Sequence, residues 1–455
     1  MAGRFIGVLK ENKEYVRTAA GMAWPSVLES FFVALAGMVD SLMVSAMGPA
    51  AVAAVGLTTQ PKFLGLSLFI AVNMAVSALV ARRRGEKRQE DANQVLITAL
   101  ALTIGACIVI SLLSVLLASP IIHLCGSAPD THAPAVLYFR IIMGGMLFNV
   151  VSLVINAALR GSGNTRVAMI TNVTSSVLNI CGNYLLIEGH LGFPALGIVG
   201  AALATVFGTV AACVLSLFFL RRPDAFVSLP FLLRNHIRPK LAALRSIFHL
   251  SGNILLETLL MRVGLIATAI IAAHLGTSAM AAHQVGTNVL TLSFSFGDGM
   301  QVAAVALTGR SLGEGKQEVA KAYGRLCQRI GATISILLAI LCLTLGRWFY
   351  GLYFVEPEII EMGVMIMRFS TVITLFQISS VIYMGCLRAA GDVRFTMIAS
   401  VSSFTVVRTL STCLLVYGLD LGLVGVWGGT LCDVACRLLL SWFRFRQGKW
   451  VNLKI

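Results

Sequence analysis

The chain has 455 residues, of which 57% are hydrophobic and only 12% are charged, and its mean hydropathy is +0.87. This composition excludes a water-soluble globular protein, because too few polar side chains are present to cover a solvated surface. The formal net charge of +15 does not indicate a nucleic-acid partner, since the basic residues lie in short loops without the interleaved aromatic residues of a nucleic-acid surface. The sequence therefore predicts an integral membrane protein.

Twelve apolar segments are long enough to cross roughly 30 Å of hydrocarbon as helices. In chain order they lie near residues 19–45, 50–80, 94–118, 133–157, 167–188, 194–220, 247–273, 279–308, 322–350, 360–385, 395–417 and 422–443. Short alternating segments, as a transmembrane barrel requires, do not occur in the sequence. We therefore expect an all-α membrane protein with twelve transmembrane helices.

The second half of the chain repeats the first half at an offset of 228 residues. Glu29 lines up with Glu257, and the register continues to Arg166 before it shifts by three, so that Gly197 lines up with Gly422. Two equivalent halves in an apolar chain are typical of alternating-access transporters. With six spans in each half, we expect two six-helix bundles related by a pseudo-two-fold axis along the membrane normal.

A basic segment with three prolines, residues 221–245, interrupts the span pattern between the halves. The predicted organisation is an N-terminal six-helix lobe (1–220), a cytoplasmic linker (221–245), a C-terminal six-helix lobe (246–445) and a cytoplasmic tail (446–455). Alternate loops carry most of the lysines and arginines, which the positive-inside rule places in the cytoplasm. Both termini are then cytoplasmic, and the protein is expected in the cell's inner (plasma) membrane.

Three polar side chains share one depth within the predicted spans. Asp40 lies about 12 Å below the outer end of the first span, and Asn179 and Asn183 reach a similar depth on one face of the fifth span. Thr205, on the sixth span, could add a hydroxyl group. Because a charge inside the bilayer costs at least ~2.5 kcal/mol on insertion scales, these residues predict a coupling-ion or proton site.

The second half of the chain lacks this group of polar side chains. The offset of 228 places Thr268 opposite Asp40, Val407 opposite Asn179 and Ser411 opposite Asn183. A requirement of the common scaffold would appear in both copies. The asymmetry therefore indicates a function confined to the first half.

Four further charged residues lie within the spans and are candidates for a substrate cavity: Glu29, Glu257, Arg262 and Asp298. Glu29 and Glu257 occupy equivalent positions, so a structural role is the alternative. Glu29 in particular follows Pro25 and could satisfy backbone groups freed by that proline. Arg262, one turn beyond Glu257, is a candidate to neutralise one of these acids.

The sequence shows no pattern of a metal centre or an enzyme. Its seven histidines lack metal-ligand spacing, and its ten cysteines are scattered and predicted to be reduced. Catalytic motifs such as His-Glu-x-x-His and Gly-x-Ser-x-Gly do not occur. We expect no cofactor other than the coupling ion.

Several motifs in this sequence resemble the multidrug and toxic compound extrusion (MATE) family of transporters. They are Val39-Asp40-Ser41 followed by Gly48, Leu159 to Arg166 with its partner Leu387 to Arg394, Leu178-Asn179-Ile180, and Ala281-Ala282-His283-Gln284. The resemblance implies a twelve-span antiporter that exports organic, often cationic, compounds in exchange for H⁺ or Na⁺. Asp40 and Asn179 resemble members of the cation site of the DinF-like branch. That branch often has a second carboxylate where this chain has Asn183, which favours H⁺ over Na⁺.

The predicted function is thus a monomeric, cation-coupled antiporter whose partners are membrane lipid and a small organic substrate, cationic or amphipathic. A flippase for a lipid-linked precursor is one alternative. It would share the spans and basic loops but needs a strongly cationic cavity, against which Asp40 and Asp298 argue. A dedicated exporter of one natural product is a second alternative, and it would have the same sequence features.

Overall fold

The computed structural model describes residues 12–45, 47, 49–125, 127, 129–223, 225–351 and 353–453. Gly48, which contributes to the family resemblance, and the terminal residues whose cytoplasmic location the sequence predicts lie outside this part of the chain. Within the described residues all regular structure is helical. The all-α architecture expected from the composition is confirmed.

The described residues of the first half of the chain form eight α-helices. They are α1 (Asn12–Ser45), α2 (Pro49–Gly85), α3 (Gln89–Leu116), α4 (Ala118–Leu124), α5 (Pro129–Gly144), α6 (Met146–Gly161), α7 (Thr165–Leu186) and α8 (Ile198–Leu220). Helices α5 and α6 meet at a 44° bend and together correspond to the fourth predicted span.

The second half contains seven further helices in its described residues. They are α9 (Leu229–Arg234), α10 (Leu241–His274), α11 (Thr277–Gly313), α12 (Gln317–Gly351), α13 (Pro357–Ala389), α14 (Val393–Gly418) and α15 (Gly422–Gln447). Two segments of α14, Ser402–Val407 and Leu414–Gly418, are π-helical. The predicted tail begins inside α15 and continues as a short 3₁₀ turn, in which Trp450 is fully buried.

Ten helices in the described residues are long and apolar enough to cross a membrane, and an eleventh span results if the bent pair α5 and α6 counts as one. The remaining predicted span is α7. With 22 residues it is about 33 Å long, which suffices for a bilayer. It is less apolar than the others because it carries Asn172, Asn179 and Asn183 among several hydroxyl side chains.

The helices pack into two compact units. Residues Phe31–Leu255 form the N-terminal unit, and residues from Leu256 onward, together with the part of α1 up to Ser30, form the C-terminal unit. This division differs from the predicted boundary in the linker 221–245. The boundaries lie instead inside α1 and α10, each of which has 34 residues.

The linker segment is attached to the N-terminal unit. The side chain of Asn93 in α3 donates to the carbonyl of Phe226 at 3.0 Å and accepts from the backbone N–H of Ser228 at 3.0 Å. Ser228 also caps α9 by accepting a hydrogen bond from the N–H of Phe231. The linker is therefore docked on α3 by specific hydrogen bonds.

The interior of each unit is built from apolar side chains. The N-terminal unit packs Phe69, Phe139 and Met143 with Val150 between α2, α5 and α6. In the C-terminal unit, one cluster centres on Tyr350 and Trp427 and a second on Phe445 and Trp450. Large apolar side chains also remain exposed, among them Leu116, Val214, Ile336, Leu414 and Leu439, as expected for helices that face lipid.

Candidate functional site

Asp40 and Asn183 are in direct contact in the N-terminal unit. The side-chain amide of Asn183 in α7 donates a hydrogen bond to Oδ1 of Asp40 in α1 at 2.5 Å. Asn183 is completely buried, and Asp40 is partly buried. The structure thus brings together two residues that lie 143 positions apart.

Asn179 and Thr205 form the adjoining part of this polar group. The amide of Asn179 donates to Oγ1 of Thr205 at 3.1 Å, and the Thr205 hydroxyl donates to the carbonyl of Ala201 at 2.9 Å. Because Asn179 and Asn183 are one turn apart on α7, the four predicted residues connect α1, α7 and α8. We call Asp40, Asn179, Asn183 and Thr205 the N-terminal polar site.

Close packing of α7 on α8 holds this site in place. A Cβ atom at Gly208 would lie 2.8 Å from the carbonyl oxygen of Ser175 and 3.3 Å from Cβ of Asn179. The hydroxyl of Ser175 donates to the carbonyl of Gly208 at 2.7 Å. Only glycine allows this approach, and the approach fixes the position from which Asn179 reaches Thr205.

Two residues that the sequence analysis did not select also lie at this site. Lys62 in α2 and Asp40 are close enough for a charge–charge interaction, and so are Tyr138 in α5 and Asp40. Lys62 could have been found by the rule that identified Asp40, since it is a lone charge inside an apolar span. Tyr138 carries no comparable signal, because buried aromatic residues are common in any core.

A cavity of about 110 Å³ adjoins the site in the N-terminal unit. Its lining is Lys62, Leu66, Ile142, Met143, Gly145, Met146, Asn149, Thr205, Val206 and Thr209. Lys62 is the charged member of this lining, and Asn149, Thr205 and Thr209 supply neutral polar groups. The cavity has room for several water molecules, which can carry protons to the polar site.

The predicted substrate-cavity residues Glu29, Glu257, Arg262 and Asp298 all belong to the C-terminal unit. Glu257 is 2% exposed and binds Arg388 of α13, with 2.5 Å between Oε1 and Nη2. The sequence had suggested Arg262 as the neutralising group. The observed partner, Arg388, lies 131 positions from Glu257 in the sequence. Residue spacing along one helix cannot identify a partner at that separation.

The other three residues of this set have different environments. Glu29 is 7% exposed, Arg262 is partly exposed, and Asp298 lies on the exposed side of α11. Asp298 also interacts electrostatically with Arg388. Arg388 therefore interacts with two acids, Glu257 by an ion pair and Asp298 over a longer range.

The described residues contain no group of three or more histidine, cysteine, aspartate or glutamate side chains that could hold a metal ion. All ten cysteines fall in this part of the chain, and each is a free thiol.

Comparison with known proteins gives a consistent result. The MatE family model matches residues 25–185 and 254–414, one match in each repeat. A probable multidrug resistance protein NorM from Thermotoga maritima is 26% identical over 443 residues, which cover 97% of this chain and 94% of the relative. Its namesake from Pseudomonas putida is 27% identical over 435 residues, with coverages of 93% and 92%. The uncharacterized transporter YisQ of Bacillus subtilis is 24% identical over 447 residues, with coverages of 98% and 97%.

Solved structures show the same fold. An outward-facing multidrug resistance MATE family transporter of the MOP superfamily matches with a TM-score of 0.89 at 23% identity, covering 95% of both chains. A MOP superfamily transporter from Pyrococcus furiosus matches with a TM-score of 0.88 at 22% identity, again covering 95% of both chains. The predicted fold and family are confirmed.

Proposed function

The chain belongs to the MatE family of membrane transporters, and on that premise we propose that it exports organic cationic or amphipathic compounds in exchange for protons. It is a multi-pass membrane protein and not an enzyme. We further place it in the inner (plasma) membrane with both termini in the cytoplasm, because its basic loops alternate with loops that are poor in lysine and arginine.

The observation that carries the proposal is the environment of Asp40. Its carboxylate accepts the amide of Asn183 and lies within range of the Lys62 ammonium. When both groups are ionised, the charges of Asp40 and Lys62 cancel. A proton on Asp40 removes this balance and takes away the charge that strengthens the hydrogen bond from Asn183.

Protonation therefore changes the net charge of the site from zero to +1. A site with a net charge of +1 repels a cationic substrate, whereas the neutral site with its ionised carboxylate does not. Protons and cationic substrate thus oppose each other at one side chain. Each ligand then lowers the affinity of the site for the other, and this change in affinity is a coupling free energy. An antiporter requires such coupling.

The same charge count favours H⁺ over Na⁺. Sodium is a hard cation that prefers several oxygen ligands with negative charge. Here Asn183 stands where a second carboxylate would be needed, and Asp40 is the single acid among the four residues of the N-terminal polar site.

The proposal of an organic, cationic substrate has separate support. The relatives from Thermotoga maritima and Pseudomonas putida are named as multidrug resistance proteins. In the C-terminal unit, Asp298 has Ile70 at its repeat-equivalent position. It is therefore an unshared acid, and its carboxyl group can attract a cation when ionised.

The test is dye transport in proteoliposomes with an acidic interior, so that protons leave as the cationic dye enters. Wild-type protein should accumulate the dye, and Asp40→Asn should reduce the initial rate at least about tenfold, because an amide cannot exchange a proton with the coupling pathway. Thr268→Val changes the repeat-equivalent position and should retain the wild-type rate. Full gradient-driven transport by Asp40→Asn would overturn the proposal.

The coupling ion has its own variant. Asn183→Asp creates the second carboxylate that the site lacks, and it should make transport respond to a Na⁺ gradient. The wild-type protein should not respond to Na⁺ at constant pH. Sodium-driven transport by the wild type would show that the assignment of H⁺ is wrong.

The two alternative functions give different results in the same vesicles. A flippase would move a fluorescent lipid-linked headgroup between leaflets but would not concentrate a soluble cationic dye. An exporter of one natural product would fail with every dye in a chemically varied panel. Accumulation of several unrelated cationic dyes would exclude both.

A further inference from the structure

Two arginines share one buried aspartate in the C-terminal unit. Oδ2 of Asp433 in α15 lies 3.1 Å from Nη2 of Arg437 and 3.8 Å from Nη1 of Arg408 in α14. Asp433 is 0% exposed, Arg437 5% and Arg408 8%. We call these three residues the arginine pair cluster.

Both carboxylate oxygens of Asp433 already have partners, and the carboxylate supplies one negative charge to two guanidinium groups. Its second oxygen, Oδ1, accepts the hydroxyl of Ser403 at 2.9 Å. Both guanidinium groups also lie near the ring of Phe404, at 4.7 Å for Arg408 and 5.3 Å for Arg437. The ring contributes attraction but no formal charge. One carboxylate therefore faces two guanidinium ions, and the cluster has a net charge of +1.

This charge lies deep in the membrane. Asp433 is eleven residues from the start of α15 at Gly422, which is about 16 Å along the helix and near the middle of a bilayer. A lysine or an acid in this position could change its protonation state, but an arginine remains charged in proteins. The uncompensated charge would cost at least ~2.5 kcal/mol on insertion scales.

Hydrogen-bond donors around the cluster also exceed the acceptors. Among the described residues, Nε of Arg408 and Nε of Arg437 are buried and have no hydrogen-bond partner, and the same holds for Nε1 of Trp427. The His283 and Trp427 rings are 5.6 Å apart, and His283 is within electrostatic range of Arg408. Buried donors of this kind normally have a partner.

The scaffold does not require these groups. In the first repeat, an offset of 228 places Ile180 opposite Arg408, and an offset of 225 places Gly208 opposite Asp433 and Ala212 opposite Arg437. The hydroxyl of Ser175 binds Gly208, as that of the equivalent Ser403 binds Asp433, so the two repeats have the same register here. The N-terminal unit thus holds the same helix pair together with apolar and small residues.

We propose that Arg408 and Arg437 bind a monoanion, either chloride or the carboxylate group of a small organic acid, inside the C-terminal unit. One negative charge cancels the net charge of the cluster, and the anion accepts hydrogen bonds from donors that otherwise have no acceptor. The burial of both arginines restricts the ligand to a small one. The site is distinct from the N-terminal polar site, and it acts by completing the packing of α14 on α15.

The test measures the thermal stability of the purified protein while chloride replaces a bulky organic sulfonate at constant ionic strength. A ligand that binds the folded state raises the melting temperature in a saturable way, and wild-type protein should show this increase. Arg408→Gln should abolish it. Asp433→Asn raises the charge of the empty cluster to +2 and should lower the half-saturating chloride concentration about tenfold.

Arg347→Gln is the matched control, because Arg347 is an exposed arginine that pairs with Glu361 at 3.0 Å. It should keep the wild-type response. A parallel titration with acetate distinguishes the two sources: an increase with acetate but not chloride identifies a carboxylate as the ligand. If Arg408→Gln does not fold, bromide replaces chloride in wild-type crystals, and its anomalous signal should lie beside Arg408 and Arg437. The proposal is wrong if neither anion changes the melting temperature, or if Arg408→Gln and Asp433→Asn respond like the wild type.

Discussion

Helices α7 and α14 occupy the same place in the two repeats, yet they differ in both chemistry and geometry. Helix α7 is a regular α-helix that presents Asn179 and Asn183 to Asp40 and Thr205. Helix α14 contains two π-helical segments, and Arg408 follows directly after the first of them. π-helical turns are often found at functional sites. Each of the two helices thus carries polar or charged side chains that its counterpart lacks. The common scaffold therefore supports a different electrostatic site in each half.

Ion pairs that occur in both halves have a different role from these sites, because they stabilise loops. After α2, Glu86 binds Arg82 and Arg88 at 3.6 and 3.3 Å. After α11, the equivalent Glu314 binds Arg310 and Lys316, both at 3.0 Å. Shared polar residues in this chain are thus structural, whereas unshared ones within the membrane are candidates for function.

The Glu257 and Arg388 pair gives the largest expected effect in a test of this distinction. Glu257 has the repeat-equivalent Glu29, and Arg388 has the equivalent Arg160, so the pair should be structural. Arg388→Gln leaves the Glu257 carboxylate buried without its partner and should lower the free energy of unfolding by about 3–5 kcal/mol. The double variant with Glu257→Gln should recover most of this loss in thermal unfolding. A single variant with wild-type stability would contradict the structural role.

Lys62 tests the unshared site, because the second repeat has Leu290 at this position. Lys62→Gln removes the positive charge next to Asp40 and should tighten the binding of a cationic substrate about tenfold at neutral pH. Titration of the purified protein with a fluorescent cation measures the affinity. Lys62→Arg keeps the charge and should bind like the wild type. Equal affinities for wild type and Lys62→Gln would mean that Lys62 takes no part in the site.

A smaller effect on stability is expected at a loop position that has a positive φ in both repeats but a different residue in each. Lys87 has a φ of +59°, and its equivalent Gly315 has a φ of +72°. A side chain in this region costs roughly 1–2 kcal/mol. Lys87→Gly should therefore raise stability by about 1 kcal/mol, and Gly315→Ala should lower it by a similar amount. Thermal melts of the two variants check the opposite signs; melts that shift in the same direction would contradict the comparison.

The smallest effect concerns Glu314. Partial burial by itself would raise the pKa of this carboxyl group, but hydrogen bonds from Lys316 and Arg310 bring the pKa below its ordinary value. The stabilisation is then present above the ordinary pKa and is lost as the pH falls through the lowered one. Glu314→Gln should cost less than about 1 kcal/mol at neutral pH. Its difference from wild type should disappear as the pH is lowered from about 5 to about 3.

Much of this molecule could be predicted from the order of its residues. Apolar length located the long helices but not the short helices α4 and α9, and the repeat related the two halves. Asp40, Asn179 and Asn183 were identifiable because polar side chains are costly in lipid. Lys62 has the same signal, because it is a charged residue inside an apolar span.

The remaining features depend on tertiary packing. Arg388 is remote from Glu257 in the sequence, and nothing local indicates that the two meet. The division of α1 and α10 between two units also has no sequence signal, because both helices are continuous in hydropathy. The arginine pair cluster requires knowledge that Arg408 and Arg437 reach the same carboxylate from two helices.

The central claim is that protons and cationic substrate compete for Asp40, and proton release on substrate binding tests it most directly. A saturating organic cation is added to purified protein in a weakly buffered solution that contains a pH indicator. At a pH where Asp40 is largely protonated, wild-type protein should release close to one proton per molecule, and Asp40→Asn should release none, by linkage between the two ligands. No release from the wild type, or equal release from both proteins, would contradict the account.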